Sequence, residues 1–132
     1  MSETKVPDIV ERTSSLPFEG TVKRLVSAIE KGGMTIFAKI DHAANARDVG
    51  LTMPPATVLI YGSPKGGTPI MFDTPLAALD LPLRVLVREG ADGKTVIAFH
   101  PVAALLCRSG VPQDAALRLE PAQLMLLAAV TP

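Results

Sequence analysis

Residues 58–69 read VLIYGSPKGGTP, and this stretch predicts both the centre of the fold and the best candidate binding site. The apolar run over residues 56–61 is typical of a strand that is covered on both faces. It leads into a glycine-rich turn that contains Lys65. Thr68 and Pro69 then predict a helix start, because threonine can cap free amides and proline suits the first helical position.

The length and charge of the chain restrict the class of protein. Its 132 residues correspond to one domain, spanning residues 1–132. Hydrophobic residues make up 48% of the chain but aromatic residues only 4%, so the core must be built mainly from aliphatic side chains. The 13 basic residues equal the 13 acidic ones in number, and the resulting zero net charge argues against a nucleic acid or a membrane surface as partner.

Cysteine content and local hydropathy predict a cytoplasmic protein. Cys107 is the single cysteine, so no internal disulfide can form, and its apolar helical segment predicts a buried, inert thiol. The N-terminal residues have no apolar core of the secretory kind. The longest apolar run, residues 124–130, is far too short to span a bilayer.

Hydrophobic periodicity predicts the elements on both sides of the central stretch. Upstream, a helical stripe with the spacing i, i+3, i+4, i+7 is formed by Val22, Leu25, Val26 and Ile29. A strand over residues 34–41 follows, with Ile36, Ala38 and Ile40 on one face, and a helix then runs over residues 42–49. Downstream, a hairpin over residues 83–99 precedes three short helical segments.

This order of elements predicts an α/β (α+β) fold with a core from about residue 9 to residue 130. Strands that are linked by helices favour parallel or mixed pairing, whereas the late hairpin is antiparallel. We therefore expect a single two-layer domain, with a mixed β-sheet and helices packed against it.

Three segments of the chain resemble signatures of one protein family. They are residues 34–44, 58–69 and 79–87, and they occur in the order of that family. On these motifs the chain resembles the DUF302 family of TT1751-like proteins, over about residues 10–130. The resemblance implies a compact domain with a mixed sheet, often a homodimer, and it implies no activity. Ser63 and Arg84 stand where asparagine and lysine are common in the family, and both changes keep the turn and the charge.

The glycine-rich turn is the leading candidate for a binding site. Aligned backbone amides at a helix start favour negative charge, so Lys65, Gly66, Gly67 and Thr68 are predicted to hold an anionic small molecule. The spacing is not that of a P-loop, since Lys65 precedes the glycines. The alternative is that the glycines only permit a tight turn.

The rim of this predicted site is formed by the ends of neighbouring strands. Asp41 and His42 lie at the end of the strand over residues 34–41, and Asp80 precedes the hairpin, so all three are predicted to lie on the same rim as Lys65. Asp41 can equally cap the next helix. Asp80 and Arg84 can equally form ion pairs at the edge of the sheet, and His100 is interpreted as structural.

Two other function classes remain open at the level of sequence. One is an enzyme that uses His42 as general base with Asp41 or Asp80 as partner. The other is a structural or regulatory homodimer without ligand, held by the apolar residues 124–127 near the C-terminus. Two histidines and one cysteine, widely spaced, predict no metal site, and no cofactor can be identified.

Overall fold

The computed structural model describes residues 8–132. It contains five strands: β1 (Val10–Thr13), β2 (Thr35–Asp41), β3 (Ala56–Gly62), β4 (Leu83–Glu89) and β5 (Thr95–Phe99). The helices are α1 (Phe18–Lys31), α2 (His42–Asp48), α3 (Pro64–Asp73), α4 (Val102–Cys107), α5 (Gln113–Leu117) and α6 (Glu120–Val130), with a 3-10 helix (Pro75–Leu79) after α3.

The five strands form one sheet in the order β1-β5-β4-β3-β2, and every pair is antiparallel. The prediction of mixed pairing was therefore wrong. The reason is where the inserted helices lie. Helix α2 connects the end of β2 to the start of β3 at the same end of the sheet, where Asp41 pairs with Thr57. In the same way α3 and the 3-10 helix lie between the paired ends Tyr61 and Leu83. These helices are insertions in hairpin connections, and neither carries the chain back to start a parallel strand.

The α+β two-layer architecture is confirmed, with the core between one face of the sheet and the helices. The sheet contributes fully buried side chains from its central strands, including Leu59, Val85 and Ile97. The apolar stripe of α1 was predicted correctly, and its Leu25 and Ile29 are fully buried. Helix α6 packs beside α1. Each such aliphatic side chain contributes about 1.5–3 kcal/mol when it is fully buried.

Strand β3 is less completely buried than its continuous apolar run predicted. Leu59 and Tyr61 lie on the core face and are fully buried, whereas Val58 and Ile60 on the opposite face are only half-buried. The continuous apolar run of β3 therefore has one fully buried face and one partly exposed face.

An irregularity in β2 changes which of its side chains face the core. The register shifts between Ile36, which pairs with Tyr61, and Ala38, which pairs with Ile60. Since directly opposite residues share a face of the sheet, Ile36 lies on the core face and Ala38 on the other. The predicted regular alternation of Ile36 with Ala38 was therefore wrong. Phe37 lies at the shift, and its side chain remains 50% exposed.

Cys107 is exposed, which corrects the prediction of a buried thiol. Helix α4 buries Val102 and Leu106, four residues apart on one face. Cys107 follows Leu106 by one residue, which turns its side chain away from that face, and the Sγ–H donates to the Ala104 carbonyl at 3.2 Å.

Candidate functional site

The glycines of the central stretch belong to a helix and not to an open turn. Helix α3 begins at Pro64, and Ser63 is its N-cap, with Ser63 Oγ accepting a hydrogen bond from the Gly66 amide at 3.3 Å. The predicted helix start at Thr68 was therefore wrong, and Pro69 lies inside α3. The Gly67 amide donates to the Ser63 carbonyl at 2.9 Å, so the amides of both glycines already have partners.

The first turn of α3 forms one wall of an apolar cavity of about 290 Å³, which we call the glycine pocket. Its walls come from the ends of β2 and β3, from α3, from the start of β4 and from the junction of α5 and α6. The lining residues are Met34, Phe37, Gly62, Ser63, Gly66, Gly67, Met71, Leu81, Pro82, Leu83, Arg118, Leu119 and Ala122.

Three glycines in the wall of this pocket lie close to side chains of other residues. A β-carbon on Gly62 would lie 3.6 Å from Pro82 Cβ, and one on Gly67 would lie 3.7 Å from Met71 Cε. A β-carbon on Gly66 would lie only 3.3 Å from Leu119 Cδ2. None of the three has a positive φ, and only Gly66 lies closer to its neighbour than an ordinary van der Waals contact of a β-carbon would allow.

Arg118 is the charged residue in the wall of the glycine pocket. It is the exposed residue that ends α5, and it also lines a neighbouring cavity beside Asp73 and Asp114. A guanidinium stays protonated at any physiological pH and can bind a carboxylate through two parallel hydrogen bonds. The pocket thus has a largely apolar wall with one charged residue among its lining residues.

The residues that the sequence placed in one site are separated in the structure. Gly66 and Gly67 line the glycine pocket, whereas the exposed Lys65 and Thr68 do not. Asp80 lines a different cavity, described below.

Asp41 and His42 lie away from both of these cavities. Asp41 Oδ1 accepts a hydrogen bond from the Ala44 amide at 2.9 Å, so Asp41 caps α2 as its alternative interpretation predicted. His42 is the exposed first residue of that helix. Neither of these two cavities therefore brings His42 together with Lys65.

Asp80 lines a second cavity of about 310 Å³, which we call the polar groove. Its wall consists of Leu79, Asp80, Leu83, Arg84, His100, Leu105 and Gln123. Asp80 Oδ2 accepts a 2.5 Å hydrogen bond from Ser109 Oγ. Sequence reasoning interpreted Arg84 as an edge charge and His100 as structural, whereas the structure places both in the wall of one cavity with Asp80.

Gln123 is the buried polar residue that organises the back of the polar groove. Its side chain is 3% exposed. The Nε2 atom donates to the His100 carbonyl at 2.8 Å, and Oε1 accepts from the Val102 amide at 2.9 Å. One amide group therefore fixes the backbone between β5 and α4, and with it the position of His100.

Within residues 8–132, no group of three or more histidine, cysteine, aspartate or glutamate side chains is placed to hold a metal ion. In the same part of the chain, no helix is both long enough and apolar enough to cross a membrane.

Comparison with known proteins assigns the family. A family model described as domain of unknown function DUF302 matches residues 10–127. The chain belongs to the DUF302 family. The crystal structure of an uncharacterized conserved DUF302 protein from Bacillus stearothermophilus matches this DUF302 domain with a TM-score of 0.87. That match covers 96% of this chain and 100% of the other at 17% identity, so it shows the fold alone.

The DUF302 domain is also similar to part of two longer curated proteins. It is 35% identical over 100 residues to the fluoride-specific ion channel FluC 1 of Brucella suis biovar 1 and to that of Brucella abortus biovar 1. Each match covers 74% of this chain but only 39% and 37% of the respective relatives. The chain thus spans well under half of their length.

Proposed function

We propose that this DUF302 domain binds a small molecule with an apolar body and one anionic group in the glycine pocket. The observation that carries the proposal is the composition of the wall: apolar side chains and glycines around about 290 Å³, with Arg118 as the charged residue. Ligand pockets are commonly apolar cavities with a few polar groups that orient the ligand, and this volume lies near the lower end of their range.

Charge supports an anionic end group. The Arg118 guanidinium offers paired donors to a carboxylate or phosphate. The N-terminus of α3, which includes Gly66 and Gly67, adds the positive end of a helix dipole to the wall of the pocket. The amides of both glycines are already bonded, so Arg118 and not a nest of free amides is the main anion contact in this proposal. Lys65 lies outside the wall and serves as a contrast to Arg118.

The test compares pairs of ligands that share an apolar body and differ in charge. Octanoate with octanol and benzoate with benzyl alcohol are suitable pairs, with fluoride and phosphate as anions that lack an apolar body. We expect the acids to raise the melting temperature in a concentration-dependent way, since a ligand that binds only the folded state stabilises it by mass action. The alcohols should bind more weakly, by about tenfold or more.

Two variants show whether the bound acid occupies the glycine pocket. Arg118→Gln should remove the preference for acid over alcohol, while Lys65→Gln should leave it unchanged. Gly67→Leu should abolish binding of both by filling the cavity beside Met71. Equal stabilisation by acids in wild type and Gly67→Leu would place the ligand elsewhere, and no binding by any acid would refute the proposal.

Homodimer formation is a second candidate function. Its contact residues are fewer than the run over residues 124–127 that the sequence predicted. Leu126 is fully buried within the chain itself, and Met125 and Leu127 are half-buried. Leu124 is 52% exposed on α6 and is the apolar side chain of this run that is free to meet a second copy. The dimer proposal therefore rests on Leu124.

A further inference from the structure

The polar groove and the glycine pocket are both lined by the short segment over residues 79–84. Leu81 and Pro82 line the glycine pocket, Leu79, Asp80 and Arg84 line the polar groove, and Leu83 lines both. The groove is therefore a second cavity with its own chemistry, and the inference drawn from it does not depend on the proposed function.

The wall of the groove contains an acid and a base that do not neutralise each other. The described residues contain one ion pair, between Arg88 and Glu11 at 3.6 Å, so Asp80 and Arg84 are unpaired within that part of the chain. Asp80 is held by its 2.5 Å hydrogen bond from Ser109. Arg84 follows Leu83 on β4 and pairs with Ile60, so it belongs to the face of the sheet opposite the core and reaches the groove from that face. Opposite charges that share one cavity without meeting are complementary to a ligand that carries both charges.

The remaining side chains of the groove add one polar atom and an apolar surface. His100 Nδ1 lies 3.1 Å from the carbonyl of Asp8, and since a carbonyl only accepts, Nδ1 carries the proton. The Nε2 atom of a neutral His100 is then a hydrogen-bond acceptor. Leu83 and Leu105 supply an apolar part of the wall.

We infer that the polar groove binds a free amino acid with an apolar side chain. In this arrangement Asp80 receives the ammonium group, Arg84 receives the carboxylate, and Leu83 and Leu105 contact the side chain. Gln123 takes no direct part in this arrangement, because its side chain is 3% exposed and is directed to the backbone of His100 and Val102. It holds His100 in place at the edge of the groove.

The experiment is calorimetric titration of the whole chain with leucine and with two blocked forms. N-acetyl-leucine lacks the positive charge and leucinamide lacks the negative one. We expect wild type to bind leucine about ten- to a hundredfold more tightly than either blocked form, which is the effect of losing one charge-assisted hydrogen bond. Serine, which lacks the apolar side chain, should also bind more weakly than leucine.

Single-charge variants assign each end of the ligand. Asp80→Asn keeps an acceptor for Ser109 and should abolish the preference for leucine over N-acetyl-leucine. Arg84→Gln should abolish the preference for leucine over leucinamide. The matched controls Glu11→Gln and Arg88→Gln remove the same charges from the surface ion pair and should change neither preference.

The outcomes separate this inference from the proposed function. Gly67→Leu, which fills the glycine pocket, should leave leucine binding unchanged. If wild type binds leucine and both blocked forms equally, or binds none of them, the inference is overturned. The comparison of leucine with its two blocked forms uses only the wild-type chain, so it does not depend on whether either groove variant folds.

Discussion

Gly66 lies so close to Leu119 that a β-carbon on the glycine would stand 3.3 Å from Leu119 Cδ2. This approach joins the first turn of α3 to the start of α6. At Gly67, one residue further along α3, the corresponding contacts are 3.7 Å to Met71 and 3.8 Å to Leu81, which are ordinary van der Waals distances.

We expect Gly67→Ala to raise the free energy of unfolding by about 0.5–1 kcal/mol, because alanine loses less backbone entropy than glycine in a helix. Gly66→Ala should raise the free energy of unfolding by less than this, or lower it, because Leu119 has to move away from the new β-carbon. Urea denaturation of both variants measures the difference. A larger gain for Gly66→Ala than for Gly67→Ala would contradict the geometry of this contact.

Tyr61 carries a hydroxyl group that is fully buried and has no hydrogen-bond partner among residues 8–132. Burial of such a group without a partner costs free energy. Tyr61→Phe should therefore leave stability unchanged or raise it by about 1 kcal/mol. Tyr61→Ala, which removes the ring as well, should lower it by about 3–5 kcal/mol. A loss of more than about 1 kcal/mol in Tyr61→Phe would show that the hydroxyl has a partner.

Tyr61 also makes the stability of the chain depend on pH in the alkaline range. Burial raises the pKa of Tyr61 above its ordinary value of 10.0, because the core disfavours the charged phenolate. The unfolded chain then loses this proton at lower pH than the folded chain, so stability is full below pH 10 and falls as pH rises above it. Tyr61 is the single tyrosine, so tyrosinate absorbance should appear together with unfolding. Tyr61→Phe should lessen the loss of stability; an equal loss in both proteins would argue against this assignment.

Gln123 makes two hydrogen bonds to the backbone between β5 and α4, at 2.8 and 2.9 Å. Gln123→Met fills a similar volume but leaves the amide of the buried Val102 without its partner. We expect a loss of about 1–3 kcal/mol in the free energy of unfolding. The control Gln113→Met changes the same residue type at an exposed position and should stay within about 0.5 kcal/mol of wild type. Comparable losses in the two variants would mean that the two hydrogen bonds contribute no net stability.

Leu124 is the exposed leucine of α6, at 52% of its full accessibility. If this face joins two copies, Leu124→Glu should weaken the dimer at least about tenfold, because it buries a charge in the contact. Leu79→Glu alters a leucine that is 82% exposed outside α6 and serves as the control. Sedimentation over a wide concentration range measures the association. A monomeric wild type at all concentrations removes the dimer proposal.

Local patterns in the sequence were enough to identify most elements, because each depends on residues close together in the chain. The stripe from Val22 to Ile29 predicted α1, and the position of Asp41 predicted the cap of α2. The start of α3 was misplaced because Ser63 and Thr68 are both good caps, each beside a proline. The choice between them depends on how the chain leaves β3 and packs Gly66 against Leu119.

The sequence by itself determined the family, the α+β class, the aliphatic core and the importance of the stretch over residues 58–69. These features depend on composition and on short-range periodicity, which the order of residues contains directly. Only the tertiary structure decided the antiparallel order of the strands, the shift at Phe37 and the grouping of the cavity walls. Arg118 lines one cavity with Gly67, and His100 lines another with Asp80, although these residues are distant in the chain. Such contacts result from packing of the whole core, and no local pattern specifies them.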